Sequence, residues 1–383
     1  IPLTLLTYII SRSFRPERTW TLRQAIGVRV FRSIIDVISA LRVRTPLPLD
    51  AGEEGERFVK IPFKEEWKQS FKGPLKTENV QPEKALGATW YTSTTTSTPT
   101  PTTTKPLTIL HIHGGAFVVG DGRSKATSFL SHTLLRPFPP KTQLLAPQYR
   151  LSTLPPSTSP SSNPFPAALQ DALTSYLYLT TTLSIAPSDI ILSGDSAGGN
   201  LVIALLRYLA EYGDEIGVKG PAAALIWSPW VDPTAAGVQT NSHAAILKNR
   251  NFTSDILPVS FLEWGRVAYT SSPSPSSSTS SSSPSYAEAV KEQPPPTQNP
   301  YINHKISPFS TPTPLWVSVG GREVLCDDGI EWSEAMRKVK GNRVTVDVEE
   351  MAPHDVLLLG RELGFERVAG EVAGRAGRWV GEV

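Results

Sequence analysis

A single cysteine, Cys326, in 383 residues excludes an internal disulfide framework. It reads as a packing residue, and it leaves the redox compartment open, with a lean towards an intracellular or membrane-associated setting over secretion. Charge of neither sign dominates. The 37 Lys and Arg stand against 35 Asp and Glu, and no basic stripe with interleaved aromatics occurs, so nucleic acid is not an expected partner. The opening apolar run, IPLTLLTYII at 1–10, is about half of what a bilayer core requires. Arg12, Arg15, Arg18, Arg23, Arg29 and Arg32 follow it. Two readings stand: the remnant of a membrane anchor or signal with its basic flank, giving membrane association through the N-terminus, or a first helix packed on the body. Internal repeats are lacking as well. The length suits one α/β domain carrying insertions.

Three tracts poor in apolar residues, TSTTTSTPTPTTT (92–104), STLPPSTSPSSNP (152–164) and SSPSPSSSTSSSSPS (271–285), cannot build a core. They read as surface loops inserted into one domain. Between them, strand-like runs fall at 57–63, 87–92, 107–112, 142–149, 189–193, 223–229, 314–319 and 344–349, with helix-like runs at 166–180, 199–212, 329–340 and 359–381. Strand and helix alternate after the first two runs. Such a chain is expected to form a mostly parallel central sheet flanked by helices, with functional residues at the carboxyl ends of its strands.

One strand end carries Gly194-Asp195-Ser196-Ala197-Gly198, a G-x-S-x-G pentapeptide between the apolar run ending at Leu192 and the helical run of Leu201, Leu205, Leu206 and Leu209. Small residues on both sides let the backbone turn sharply, with the Ser196 hydroxyl pointing out as a nucleophile. A second strand end carries HIHGGAFVVGDG (111–122), where successive N–H groups of Gly114 and Gly115 suit the oxyanion of acyl transfer, joined by the N–H of Ala197. His111 and His113 share a strand face at i, i+2, but no third ligand accompanies them, so no metal is expected. The base should follow the last strand, and of six histidines His354 alone does. For the acid, Glu323 lies just beyond the 314–319 strand. Asp327 and Asp328 come later, and Asp328 with Glu331 has the spacing of a helix capping box. Asp327 stays open as the alternative acid.

HGGAF (113–117), YRL (149–151) with PFPAALQDA (164–172), GDSAGGNL (194–201), WSPWVD (227–232), NPYI (299–302) and GGREVLCDDG (320–329) stand in the order of the hormone-sensitive-lipase-like branch of the α/β-hydrolases, which the chain resembles from about residue 85 onward. The resemblance implies an α/β-hydrolase fold and a serine carboxylic-ester hydrolase using Ser196, His354 and Glu323, 31 positions before the His. Gly114, Gly115, Ala116 and Ala197 would hold the oxyanion, Ala116 replacing the family's third glycine. No cofactor is implied, and the partner is a small to medium, apolar ester. The resemblance also implies a catalytic domain over 86–383 and a helical cap, built from residues 1–85 and an insert at about 232–310, in which Phe252, Leu257, Phe261 and Trp264 form an apolar wall. A receptor-like binding protein on the same fold and an amidase or deacetylase with the same triad remain alternatives. The sequence leaves oligomeric state undefined. Asn251-Phe252-Thr253 is a glycosylation sequon, which does not by itself establish secretion.

Overall fold

The computed structural model describes residues 2–77, 80–93, 106–153, 162–236, 246–270 and 294–383. The 271–285 tract and nearly all of 92–104 lie outside these residues. The ends of 152–164 are tied together, Thr153 N–H donating to the Ser162 carbonyl at 2.8 Å.

Eight strands form one sheet: β1 Phe58–Pro62, β2 Ala85–Thr92, β3 Thr108–Ile112, β4 Gln143–Pro147, β5 Ile190–Asp195, β6 Ala223–Trp227, β7 Leu315–Gly320 and β8 Val344–Glu349. Their spatial order is β1-β2-β4-β3-β5-β6-β7-β8. β1 and β2 pair antiparallel, as do β2 and β4; all other pairs are parallel. Helices cover both faces, which is why β3, β5, β6 and β7 are buried at every position and read as largely apolar runs. Side chains alternate across the sheet. Ile109 and Ile191 join the core under α3 Ser124–Leu135, α8 Val356–Leu363 and α9 Glu366–Val380. Leu110 and Leu192 join the larger core with α4 Ala167–Leu177, α5 Ala197–Ile216 and α7 Cys326–Arg337.

Two helices depart from the sequence expectation. The 359–381 run is two helices, because Gly364 takes φ +80° and closes α8 as its left-handed C-cap. α3 was not expected at all: Ser124, Thr127, Ser128, Ser131 and Thr133 dilute the apolar spacing of Leu130, Leu134 and Leu135, which the sheet nevertheless buries.

The N-terminal helices α1 Pro2–Ile10 and α2 Leu22–Leu41, together with α6 Val259–Thr270, form a further layer. Thr21 and Gln24 make a reciprocal capping box at the start of α2. α2 packs on α6 and α8, and α6 reaches the loop after β3, where a Cβ on Gly265 would stand 2.5 Å from the Ala116 carbonyl oxygen. The layer therefore abuts the carboxyl ends of the strands.

Candidate active site

The register sets the site. Ile112 pairs with Gly194 across β3 and β5, so the next two residues of each strand, ending in Gly114 and Ser196, emerge side by side. Ser196 has φ +51° and ψ −115°, a strained conformation for a residue with a Cβ. Its neighbours hold it there. The Ser196 N–H donates to the Trp227 carbonyl at 2.9 Å, and its carbonyl accepts from Trp230 N–H at 3.0 Å. A Cβ on Gly198 would collide with the Ile112 carbonyl, and one on Gly114 with the Asp195 carboxylate. Both positions demand glycine.

The loop after β3 is fixed from three sides. Val118 and Val119 N–H both donate to the Gly115 carbonyl at 3.0 Å. Tyr149 donates its hydroxyl to the His113 carbonyl at 2.9 Å and stacks on the His113 ring at 4.2 Å. Phe117 lies against Tyr269 of α6 with ring centroids 3.7 Å apart. Ala116 and Phe117 are left-handed, at φ +51° and +64°. The Gly114 N–H does not point into a substrate space: it donates to Asp195 Oδ2 at 2.9 Å. That corrects one member of the expected oxyanion set. Among the described residues no acceptor faces the N–H groups of Gly115, Ala116 or Ala197.

β7 and β8 pair Gly320 with Glu349, bringing the loops of Glu323 and His354 out together. His354 Nδ1 is 2.8 Å from Glu323 Oε2, and Glu323 Oε1 accepts from the Gly320 N–H at 3.1 Å. Both side chains are buried. Burial pulls the His354 pKa down, but the hydrogen bond and charge of Glu323, with Asp255 and Asp195 behind, outweigh it and leave the imidazole above its ordinary value.

Two residues outside the hydrolase motifs hold these loops. Asp255, buried beside α6, accepts from His354 N–H at 3.0 Å and Ile256 N–H at 2.7 Å on Oδ1, and from Val324 N–H at 2.7 Å on Oδ2. Burial, reinforced by Glu323, pushes its pKa up to about 6 against the opposing pull of His354 and those N–H groups. Asn251 donates its amide to the carbonyls of Gly321 and Glu323 at 3.1 and 2.9 Å. It is buried, so the sequon at 251–253 is not displayed as a glycosylation site.

A second carboxyl pair lies behind Ser196. Trp227 Nε1 donates to Ser193 Oγ at 3.0 Å, and that hydroxyl also lies 3.0 Å from His111 Nδ1. His111 Nε2 faces Asp195 Oδ1 across 3.1 Å. Asp355, left-handed at φ +57°, shares a hydrogen bond with Asp195. Burial and the Asp195 charge raise the Asp355 pKa well above the ordinary carboxyl value. Burial would raise Asp195 too, but the His111 hydrogen bond and charge lower it. His111 and His113 serve this network separately, His113 Nδ1 meeting the Gly114 carbonyl at 2.8 Å.

The alternative acids lie elsewhere. α7 begins at Cys326, earlier than expected, which places Asp327 and Asp328 within its first turn. Asp327 pairs with Arg250 at 2.6 Å; Asp328 and Glu331 both hold Lys305, at 2.5 and 2.8 Å, so they form no capping box. Of the expected apolar wall, Leu257, Phe261 and Trp264 are buried around α6, while Phe252 packs under the Arg32 guanidinium at 3.8 Å.

The chain belongs to the α/β-hydrolase fold family, whose sequence model matches residues 109–358. The acetyl-hydrolase of Streptomyces hygroscopicus is 32% identical over 140 residues, 36% of this chain and 40% of that protein. An AB hydrolase superfamily protein of Schizosaccharomyces pombe is 25% identical over 277 residues, 70% of this chain and 68% of its own length. In architecture the chain is similar to an esterase of the bacterial hormone-sensitive lipase family, with a TM-score of 0.59 at 20% identity, covering 95% of this chain and 99% of that one. That likeness is one of fold.

Proposed function

We propose that the protein is a serine ester hydrolase in which Ser196 is the nucleophile, His354 the base and Glu323 its orienting acid. The observation that carries this reading is the buried His354–Glu323 pair at 2.8 Å together with the strained Ser196 elbow. With Nδ1 donating to Glu323, His354 keeps a lone pair on Nε2 for the Ser196 proton. The serine oxygen attacks the acyl carbonyl, and the negative oxygen is held by the N–H groups of Gly115, Ala116 and Ala197. The imidazolium then protonates the leaving alcohol. Water, deprotonated by the same ring, releases the acid and restores Ser196. Every proton is carried by His354, so the chemistry needs no cofactor.

Residues α1, α2 and the 246–270 segment act as the cap in this reading. The apolar side chains of α6 favour a small to medium, apolar acyl group, in keeping with the acetyl-hydrolase named among the relatives. The test is a series of p-nitrophenyl esters from acetate to palmitate with fluorophosphonate labelling, on the native protein and Ser196→Ala. Labelling and turnover are expected to vanish in the variant, a loss on the order of a million-fold. Near-normal turnover by the variant ends the serine-hydrolase reading. A palmitate optimum would refute the short acyl preference.

A further inference from the structure

The cap layer carries an apolar surface on the side away from the sheet. α2 buries Ala25, Val28, Arg32, Ile35 and Ser39. Ile34, Val37 and Leu41, at i, i+3 and i+7, line its outer face and are 49% to 71% exposed. Ile9, Ile10 and Phe14 of the preceding segment are about as exposed, at 59% to 69%. A contiguous apolar surface on one element is the mark of a contact partner rather than of solvent.

Charge identifies the partner. Residues 1–49 hold eight arginines against only Glu17 and Asp36, whereas the rest of the chain has 29 basic against 33 acidic side chains. The two acids are engaged: Glu17 pairs with Arg322 at 2.8 Å, and Asp36 accepts from Ser260 at 2.5 Å. Some arginines of the expected basic flank turn inward, Arg15 to the Tyr8 and Trp20 carbonyls and Arg32 to Phe252 and Asp255. Arg12, Arg18 and Arg44 are exposed and have no carboxylate partner among the described residues. These arginines flank the exposed apolar residues along the chain, so a second copy of the segment would bring like charge to like charge. Anionic lipid headgroups complement it, and the apolar side chains fit the boundary between headgroup and acyl chain. No described helix is long and apolar enough to cross a membrane.

We propose that the outer face of α1 and α2 docks the protein on the surface of an anionic phospholipid bilayer. This claim stands apart from the hydrolase reading and is tested by binding. The full chain is sedimented with phosphatidylcholine vesicles and with vesicles enriched in phosphatidylserine, at low and high salt. The native protein should bind the anionic vesicles, less so at high salt. The triple variant Ile34→Gln, Val37→Gln, Leu41→Gln should lower the bound fraction by about ten-fold or more, with turnover of soluble p-nitrophenyl acetate retained. Arg12→Glu with Arg18→Glu and Arg44→Glu should remove the preference for anionic over neutral vesicles. Absence of binding to anionic vesicles at low salt overturns the proposal, as does equal binding by the native protein and the triple variant. A concentration-dependent dimer in sedimentation velocity that the triple variant abolishes, without vesicle binding, assigns the face to a second copy instead.

Discussion

Asp255 holds His354 by its backbone: Oδ1 accepts the His354 N–H at 3.0 Å while Oδ2 accepts the Val324 N–H, the residue after Glu323, at 2.7 Å. One carboxylate thus sets the separation of the two loops whose side chains meet at 2.8 Å. It comes from the segment leading into α6, which also sends the Asn251 amide to the Glu323 carbonyl, so the outer layer and the Glu323 and His354 loops are tied by polar contacts.

Asp255→Asn is expected to replace one of these acceptors by an amide NH2 facing an N–H. A buried donor left without its acceptor costs about 1–3 kcal/mol. Because the strain falls on the His354 and Glu323 loops, kcat should drop about ten-fold or more as well. Melting temperature and kcat are measured together. A variant that loses stability but keeps kcat would make Asp255 structural only.

Glu323→Gln is expected to cut kcat by about a hundred-fold or more, since a neutral amide does not stabilise the imidazolium. Asp327→Asn breaks an exposed pair with Arg250 and Asp328→Asn a half-buried one with Lys305, and each should shift stability by about 1 kcal/mol or less, with kcat unchanged. A collapse of kcat confined to Asp327→Asn would transfer the acid role there. Glu323→Gln should also move the acid limb of the pH–rate profile downward, because Glu323 is the main influence holding the His354 pKa above its ordinary 6.5.

Above about pH 6.5 stability and activity should have opposite pH trends; below it His304 and His113, whose pKa values burial lowers, add stability as pH rises and oppose the carboxyl groups. Asp255 and Asp355 have folded pKa values above the ordinary carboxyl value of 3.8. The native state therefore retains protons that the unfolded chain has released, and the stability these two groups contribute falls as pH rises from about 4, through about 6 for Asp255 and beyond for Asp355. His354, also raised, contributes stability below 6.5 that is lost as pH climbs through its folded pKa. Asp195, lowered, contributes stability throughout the range above 3.8 and adds no slope near neutrality. Activity needs neutral His354 and rises with pH. Melting curves and kcat/KM from about pH 5 to 9 check this; a melting temperature highest at the alkaline end would refute it. Asp355→Asn, which keeps a donor for Asp195 and suits a left-handed backbone, should flatten the stability profile.

Much of the site was legible because its side chains stand at strand ends with motif partners nearby. Ser196 is flanked by glycines whose need is steric, and His354 follows the last strand. Asp255 was not legible, since a carboxylate that accepts backbone N–H groups requires no partner side chain at any fixed spacing. Nor was the direction of the Gly114 N–H, which depends on Asp195 reaching across from the neighbouring strand. In the fold, the buried strands β3, β5, β6 and β7 announced themselves by apolar content. The break at Gly364 did not, because α9 carries glycines at 370, 374 and 377 without interruption.

The sharpest test of the proposed oxyanion loop is Gly265. Ala116 stands where a glycine would be at ease, at φ +51°, and its Cβ costs conformational energy there. α6 accommodates that Cβ by presenting Gly265: an added methyl would stand 2.7 Å from Ala116 Cβ and 2.5 Å from its carbonyl oxygen. Neither neighbour can yield easily. Ala116 is held by the loop closed on the Gly115 carbonyl, and α6 is held by the Phe117–Tyr269 stack at 3.7 Å. Gly265→Ala also gains about 0.5–1 kcal/mol of helix propensity, so a stability change alone is ambiguous in sign. The rate is not ambiguous. A displacement of the Ala116 N–H by a few tenths of an ångström misaligns a donor whose complete loss costs about a hundred-fold. Gly265→Ala should therefore lower kcat by about ten-fold while fluorophosphonate still labels Ser196. Ala116→Gly in the same protein removes the Cβ contact and should restore part of the loss. An unchanged kcat in Gly265→Ala would show that the loop tolerates the methyl and that its position is not set by α6.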